Sequence, residues 1–209
     1  GTAAAAADER RRSSVHRVFC YGSNGVDQLR SRCQNPTLSS VPATLPGYAR
    51  CFAGWSGRWG GAVASIIDAE RSSCYGSIVE LSDDELLLLD GFEGVDSSDP
   101  FSRGGVYRRQ HVACEGRDGA AQRAIAYVKN DLRWRGPPSE AYLAACLTNV
   151  VEQWADQPRA LDVRDGQGTL RFTYSPQEPP SPGTAAATAV ATAAATAAAS
   201  AAATAAATA

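Results

Sequence analysis

Apolar and polar positions change their period several times along the chain, and each change marks an expected element. Val18 to Tyr21 is a short run of β-forming residues stopped by Gly22-Ser23-Asn24-Gly25, which predicts a strand and a turn. Asp27 to Cys33 follows as a helical turn. Tyr48, Arg50 and Phe52 alternate with smaller residues after Pro46-Gly47, so Ala43 to Trp55 reads as a strand. Two further β-rich runs, Ala62 to Asp68 and Cys74 to Leu81, flank the polar stretch Glu70 to Ser73 and predict a hairpin there. Ser82 and Glu85 have capping-box spacing and open the leucine run 86–89. That helix is expected to end at Gly91, with Phe92-Glu93-Gly94-Val95 leaving it. Tyr107 to Glu115 and Gln122 to Lys129 add two strands, giving about six candidates. After Pro137-Pro138-Ser139, the residues Tyr142, Leu143, Cys146, Leu147, Val150, Val151 and Trp154 recur at three- and four-residue spacing and predict a helix with one buried face.

The ends lack such patterns. Residues 1–17, an alanine run followed by Arg10-Arg11-Arg12 and two serines, read as a solvated tail, with an organelle-targeting remnant as the alternative that Asp8 and Glu9 oppose. One domain is expected over 18–174, a proline-rich linker over 175–183, and a low-complexity tail over 184–209. In that tail Thr184, Thr188, Thr192, Thr196, Ser200, Thr204 and Thr208 recur every fourth residue among alanines. As a helix it would be a rod of roughly 39 Å with a hydroxyl stripe and no apolar face.

Charge and composition remove several functions. The formal net charge of the 209 residues is -2, which offers no basic field for nucleic acid. The six cysteines fall largely inside apolar patterns and read as buried reduced thiols, and two histidines without a Cys-x-x-Cys pair leave a metal site without its usual ligand spacing. No apolar run approaches the ~20 residues that span a bilayer, so no membrane partner is expected and the default compartment is the cytoplasm. The missing methionine at position 1 points to a processed or incomplete chain, which keeps an organelle address open. Neither phosphate-loop nor dinucleotide fingerprints occur, and no nucleotide cofactor is expected.

Two stretches carry candidate chemistry. In Gly22-Ser23-Asn24-Gly25 the glycines permit positive φ and close ligand approach, and consecutive amides can form an anion-binding nest. Taken alone, such a turn mostly reverses a chain. Glu93 follows a helix end and adjoins Phe92; the negative end of the helix dipole and the apolar neighbour both disfavour its ionisation, as suits a general acid/base. Ser23 lacks the Gly-x-Ser-x-Gly elbow and no histidine is placed beside it, so a hydrolytic triad is not supported.

Together, Tyr21-Gly22-Ser23-Asn24 and Leu89-Asp90-Gly91-Phe92-Glu93-Gly94-Val95 resemble the γ-glutamylcyclotransferases. Asn35-Pro36, Gly60-Gly61, Tyr75-Gly76, Tyr107 and Tyr127 fall in matching order, and the likeness covers roughly residues 18 to 154. Asn24 is similar to the γ-glutamyl dipeptide branch, whereas relatives acting on γ-glutamylamines or on glutathione usually differ there. The resemblance implies an α+β fold, a small mixed-strand β-barrel with helices packed outside, and a reaction without cofactor or metal. It implies that the Gly22, Ser23 and Asn24 amides hold a small-molecule γ-glutamyl substrate and that Glu93 moves the proton. Tyr127, or the loop amides, would steady an oxyanion, while Tyr21 and Tyr107 either contact substrate or serve the core. The alternatives are a catalytically silent binding or scaffold module of the same fold, or a relative acting on γ-glutamylamines or glutathione; a homodimer is an open alternative to a monomer.

Overall fold

The structure, a computed structural model, describes residues 14–133, 136–154, 163–164 and 170–172. Strand β1 (His16–Cys20) is buried on both faces, with Phe19 in one apolar cluster and Val18 and Cys20 in another. A strand enclosed on both faces reads as a continuous apolar run, which is how Val18-Phe19-Cys20 reads. It pairs antiparallel with β3 (Gly61–Leu81) and parallel, at Val18 and Ile125, with β5 (Ala121–Lys129). β5 pairs antiparallel with β4 (Tyr107–Gly116), β4 with β2 (Ser40–Ser56), and β2 returns to β3. These five strands form a closed, mixed barrel. β6 (Val163–Arg164) joins the β2 edge at Arg50 and pairs with β7 (Leu170–Phe172).

Three helices surround the barrel. α1 (Val26–Arg32) and α2 (Asp83–Glu93) cover the outer face of β1, where Leu29, Leu86 and Leu89 pack with Val18 and Cys20. α3 (Glu140–Trp154) follows the two prolines as the spacing predicts, and the Ser139 hydroxyl accepts the Tyr142 amide at 3.2 Å. Tyr142 and Cys146 enter the barrel cluster, and Trp154 donates to the Gly76 carbonyl at 2.7 Å. All six cysteines are buried and free. None of the described helices is long and apolar enough to cross a membrane.

The structure corrects two boundaries and one turn. β1 begins at His16, so it takes in the last two residues of the segment 1–17 expected as a tail, and His16 bonds Asp83 at 2.6 Å. The hairpin expected at Glu70 to Ser73 is absent, because β3 runs unbroken for 21 residues. Its pairing jumps from Pro46↔Ser73 to Tyr48↔Asp68, so residues 69–72 form an irregularity opposite Gly47 rather than a turn. That merger accounts for five barrel strands where about six candidates were read. Tyr75-Gly76 consequently lies inside β3.

Helix α2 continues through Gly91 and ends at Glu93, with Gly94 at φ 62 and ψ 43. The Val95 amide reaches Asp90 O at 3.1 Å and the Gly94 amide reaches Gly91 O at 3.3 Å, which together make a Schellman motif. That motif wants an apolar residue after the left-handed one, and Val95 packs against the cluster containing Leu89. The segments 1–13, 175–183 and 184–209, including the periodic hydroxyls, lie outside the described residues.

The N-terminus of α2 shows the capping box in full. Ser82 N donates to Glu85 Oε2 at 2.7 Å, Glu85 N donates to Ser82 Oγ at 3.4 Å, and Asn35 Nδ2 donates to Glu85 Oε1 at 2.6 Å. Partial burial opposes ionisation of Glu85, but these hydrogen bonds outweigh it and lower its pKa below the ordinary 4.5. A depressed pKa contributes stability above the unfolded value, and that contribution is lost as pH falls through the folded one. Glu85→Gln is therefore expected to destabilise at neutral pH by about 1 kcal/mol, with a gap to wild type that closes as pH falls below 4.5. Urea midpoints of both proteins between neutral and acid pH check this; a gap independent of pH would contradict it.

Candidate active site

The loop after β1 is held by its carbonyls. Arg50, 1% exposed, donates Nε to Tyr21 O at 2.7 Å and Nη2 to Tyr75 O at 2.6 Å. Asn149 of α3 donates Nδ2 to Gly22 O at 3.0 Å and to Cys20 O at 3.3 Å, and its own oxygen takes the Ser77 hydroxyl at 3.2 Å. The Gly25 amide donates to Ser23 O at 2.8 Å. Every carbonyl from residue 20 to 23 thus has a partner. Among the described residues, none takes up the amides of Gly22, Ser23 or Asn24.

Neither Gly22 nor Gly25 has positive φ, which corrects the reason for glycine at these positions. Space is the reason. A Cβ on Gly22 would lie 3.1 Å from Ala64 Cβ and 3.3 Å from the Tyr142 hydroxyl, and one on Gly25 would lie 3.3 Å from Asn149 Cβ. The glycines let the loop lie against the barrel mouth and let Asn149 reach its carbonyls.

At the end of α2 the Glu93 side chain turns back to this loop. Asn24 Nδ2 donates to Glu93 Oε1 at 3.1 Å, Arg32 Nη1 donates to the same oxygen at 2.8 Å, and Arg32 Nη1 also reaches Asn24 Oδ1 at 2.8 Å. The Arg32 and Glu93 side chains are each 11% exposed. Phe92 is exposed, its ring beneath the Arg32 guanidinium at 5.0 Å. The carboxylate expected beside an apolar neighbour therefore sits in an ion pair. Both bonds end on Oε1, and no described group takes up Oε2. Oε2 is also not among the buried unpartnered atoms, so it reaches solvent.

Loop and carboxylate open on one cavity of about 350 Å³, lined by Tyr21, Gly22, Ser23, Asn24 and Glu93 together with Tyr107 and Tyr127. All seven sequence-derived candidates are thus brought to one place. The tyrosine hydroxyls, however, are committed. Tyr21 donates to the Tyr127 carbonyl, and Tyr107 donates to Ala64 O at 3.1 Å. Tyr127 donates to Asp90 Oδ1 at 2.8 Å, which corrects its expected role as a free oxyanion donor. Burial holds all three phenols well above the usual tyrosine range, so they are neutral at neutral pH. Burial likewise pushes the Cys146 thiol up to about 12, which leaves no thiolate nucleophile there.

A carboxylate with one free oxygen beside three unengaged amides can accept a proton from a bound amine while the amides hold negative charge. The gamma-glutamyl cyclotransferase, AIG2-like family matches residues 18–144, more than half of the 209. The chain belongs to this family. Its fold is similar to that of a structure named gamma-glutamyl cyclotransferase, at 21% identity and a TM-score of 0.60 over 76% of this chain and 94% of that one. It is also similar to the uncharacterized protein loc79017 from Homo sapiens, at 22% identity and a TM-score of 0.58 over 68% and 82% of the two chains. YkqA from Bacillus subtilis shares the fold at 17% identity and a TM-score of 0.53, over 70% of this chain and 51% of that one. No curated protein matches.

In this cyclotransferase-family chain, several site residues escape sequence reading. Arg32 looks like any polar residue of a short helix, although an arginine about two turns beyond the loop was a usable signal. Arg50 and Asn149 lie within a strand and a helix, where a lone polar residue among apolar ones signals a buried bond. Asp90 stands inside the recognised Leu-Asp segment, and Arg109 grips it with Nε at 2.9 Å and Nη2 at 2.5 Å. Asp90 therefore ties the last turn of α2 to β4 and, through Tyr127, to β5. Asp90→Ala would leave Arg109, with 12% of its side chain exposed, without its carboxylate. This variant is expected to lose about 3 to 5 kcal/mol of unfolding free energy in urea titrations; a loss below about 1 kcal/mol, the level of an exposed pair, would contradict the pinning role.

Proposed function

We propose that this protein is a γ-glutamylcyclotransferase that converts a γ-glutamyl amino acid into 5-oxoproline and the free amino acid. The observation that supports this most is the unpartnered Glu93 Oε2 on the same cavity wall as the three unengaged loop amides. The amides of Gly22, Ser23 and Asn24 bind the glutamyl group and hold it folded, so that its α-amine lies against its own γ-carbonyl carbon. Such intramolecular positioning supplies a large part of the barrier reduction.

Glu93 Oε2 takes a proton from the α-amine as the nitrogen adds to the γ-carbonyl carbon. The carbonyl oxygen becomes an oxyanion, which the loop amides stabilise. Glu93 then returns the proton to the amide nitrogen of the leaving amino acid, the carbon–nitrogen bond breaks, and the carbonyl re-forms within the five-membered ring. Arg32 and Asn24 hold Oε1 throughout, so only Oε2 needs to meet substrate.

Purified protein incubated with γ-glutamylalanine is expected to release 5-oxoproline and alanine, measured by chromatography. Glu93→Gln should lower kcat/KM by at least ~100-fold with an unchanged circular dichroism spectrum. Full activity in that variant would exclude Glu93 as the proton carrier, and no 5-oxoproline from the wild type would exclude the reaction.

A further inference from the structure

Lys129 ends β5 at the wall of the cavity and is 7% exposed. Its ammonium lies 4.9 Å from the centre of the Tyr107 ring. The stem crosses Gly54, where a Cβ would stand 2.2 Å from Lys129 Cε and 3.1 Å from Nζ. Gly54 has φ +63, so β2 carries at this point a residue whose backbone and missing side chain both make room for the lysine. The backbone amide of Lys129 goes to Ser65 Oγ at 3.1 Å, but no described group bonds Nζ. Nζ is not among the buried unpartnered atoms either, so it keeps contact with solvent, and the residue lines both this cavity and a second one beside Asp131.

The neighbouring charges are matched within the protein. Arg32 pairs with Glu93 and Arg109 with Asp90. Lys129 is left as a cation with no ion-pair partner among the described residues, and burial lowers its pKa against the opposing pull of Asp131 and Glu93. Arg58, exposed over Trp59 on the cavity rim, adds to the positive sign. Desolvating an ammonium is costly unless an anion meets it.

Substrate charge completes the count, on the reading that the site cyclises γ-glutamyl compounds. The glutamyl α-amine and α-carboxylate share one carbon, so an amine at Glu93 brings that carboxylate to the loop of Asn24, which itself bonds Glu93 at 3.1 Å. Lys129 comes from β5 rather than from that loop, and lies between Tyr107 and Gly54. A γ-glutamyl α-amino acid carries a second carboxylate, on its leaving group, and a net negative charge; a γ-glutamylamine carries neither. We infer that Lys129 is the specificity-determining residue of this site, its ammonium binding the α-carboxylate of the leaving amino acid and thereby selecting γ-glutamyl α-amino acids over γ-glutamylamines.

The test compares kcat/KM for γ-glutamylalanine with that for γ-glutamylethylamine, which differs by the leaving-group carboxylate alone. Wild type is expected to favour the acid by about 30-fold, and Lys129→Met to bring the ratio within about 3-fold, as loss of a charged hydrogen bond implies. Lys129→Arg should retain most of the preference. A purely structural effect of Lys129→Met would lower both values together and leave the ratio, which would overturn the inference. Equal turnover of both compounds by wild type would overturn it without any variant. If wild type forms 5-oxoproline and the ratio ignores Lys129, the inference alone falls; if it forms none from either compound, the cyclotransferase reading falls and takes the inference with it.

Discussion

The buried guanidinium of Arg50 is the constraint on which the site rests. A charge at 1% exposure must be met by hydrogen bonds, and the carbonyls of Tyr21 and Tyr75 supply two of them. Those bonds hold the end of β1 to β2 and β3 and settle which way the following peptides face. With Asn149 gripping the carbonyls on either side, the chain has little freedom other than to leave its next amides toward the cavity. The unengaged amides of this loop are thus a by-product of how the barrel satisfies one interior cation.

A second set of charges places the carboxylate. Asp90 and Glu93 lie three residues apart on α2, close to one turn, and each is held by an arginine from a different element. The Arg109 pair, strengthened by Tyr127, docks the helix on the barrel; the Arg32 pair, shared with Asn24, aims the last side chain. Gly94 ends the helix at once, so Glu93 projects from a terminus fixed on both sides. Docking and aiming are separate tasks, and the two ion pairs divide them.

Much of this was legible in the chain. The run Val18 to Cys20, the Ser82 and Glu85 cap, and the spacing of Tyr142, Cys146 and Val150 each express a local rule, and each appears where expected. Tyr21 to Asn24 and Glu93 were readable through their order and separation. The failures share a cause. Whether β3 breaks at Glu70 depends on what β2 offers opposite it, and whether Gly91 or Gly94 ends α2 depends on where Val95 can be buried. Lys129 reads as an ordinary polar strand end until Gly54 is seen beneath it. Arg32, Arg50 and Asn149 acquire roles only through partners that local pattern cannot name.

Those partners are distant along the chain. Asn24 meets Glu93 across 69 residues and Asn149 meets Gly22 across 127. Contacts of such separation carry the largest loop-closure cost and form late relative to local helices and turns. A polypeptide emerging from the ribosome would therefore carry both recognisable motifs long before the loop could take its final shape, because α3 must dock before the loop is locked. The geometry of this loop is accordingly a property of the fully closed chain.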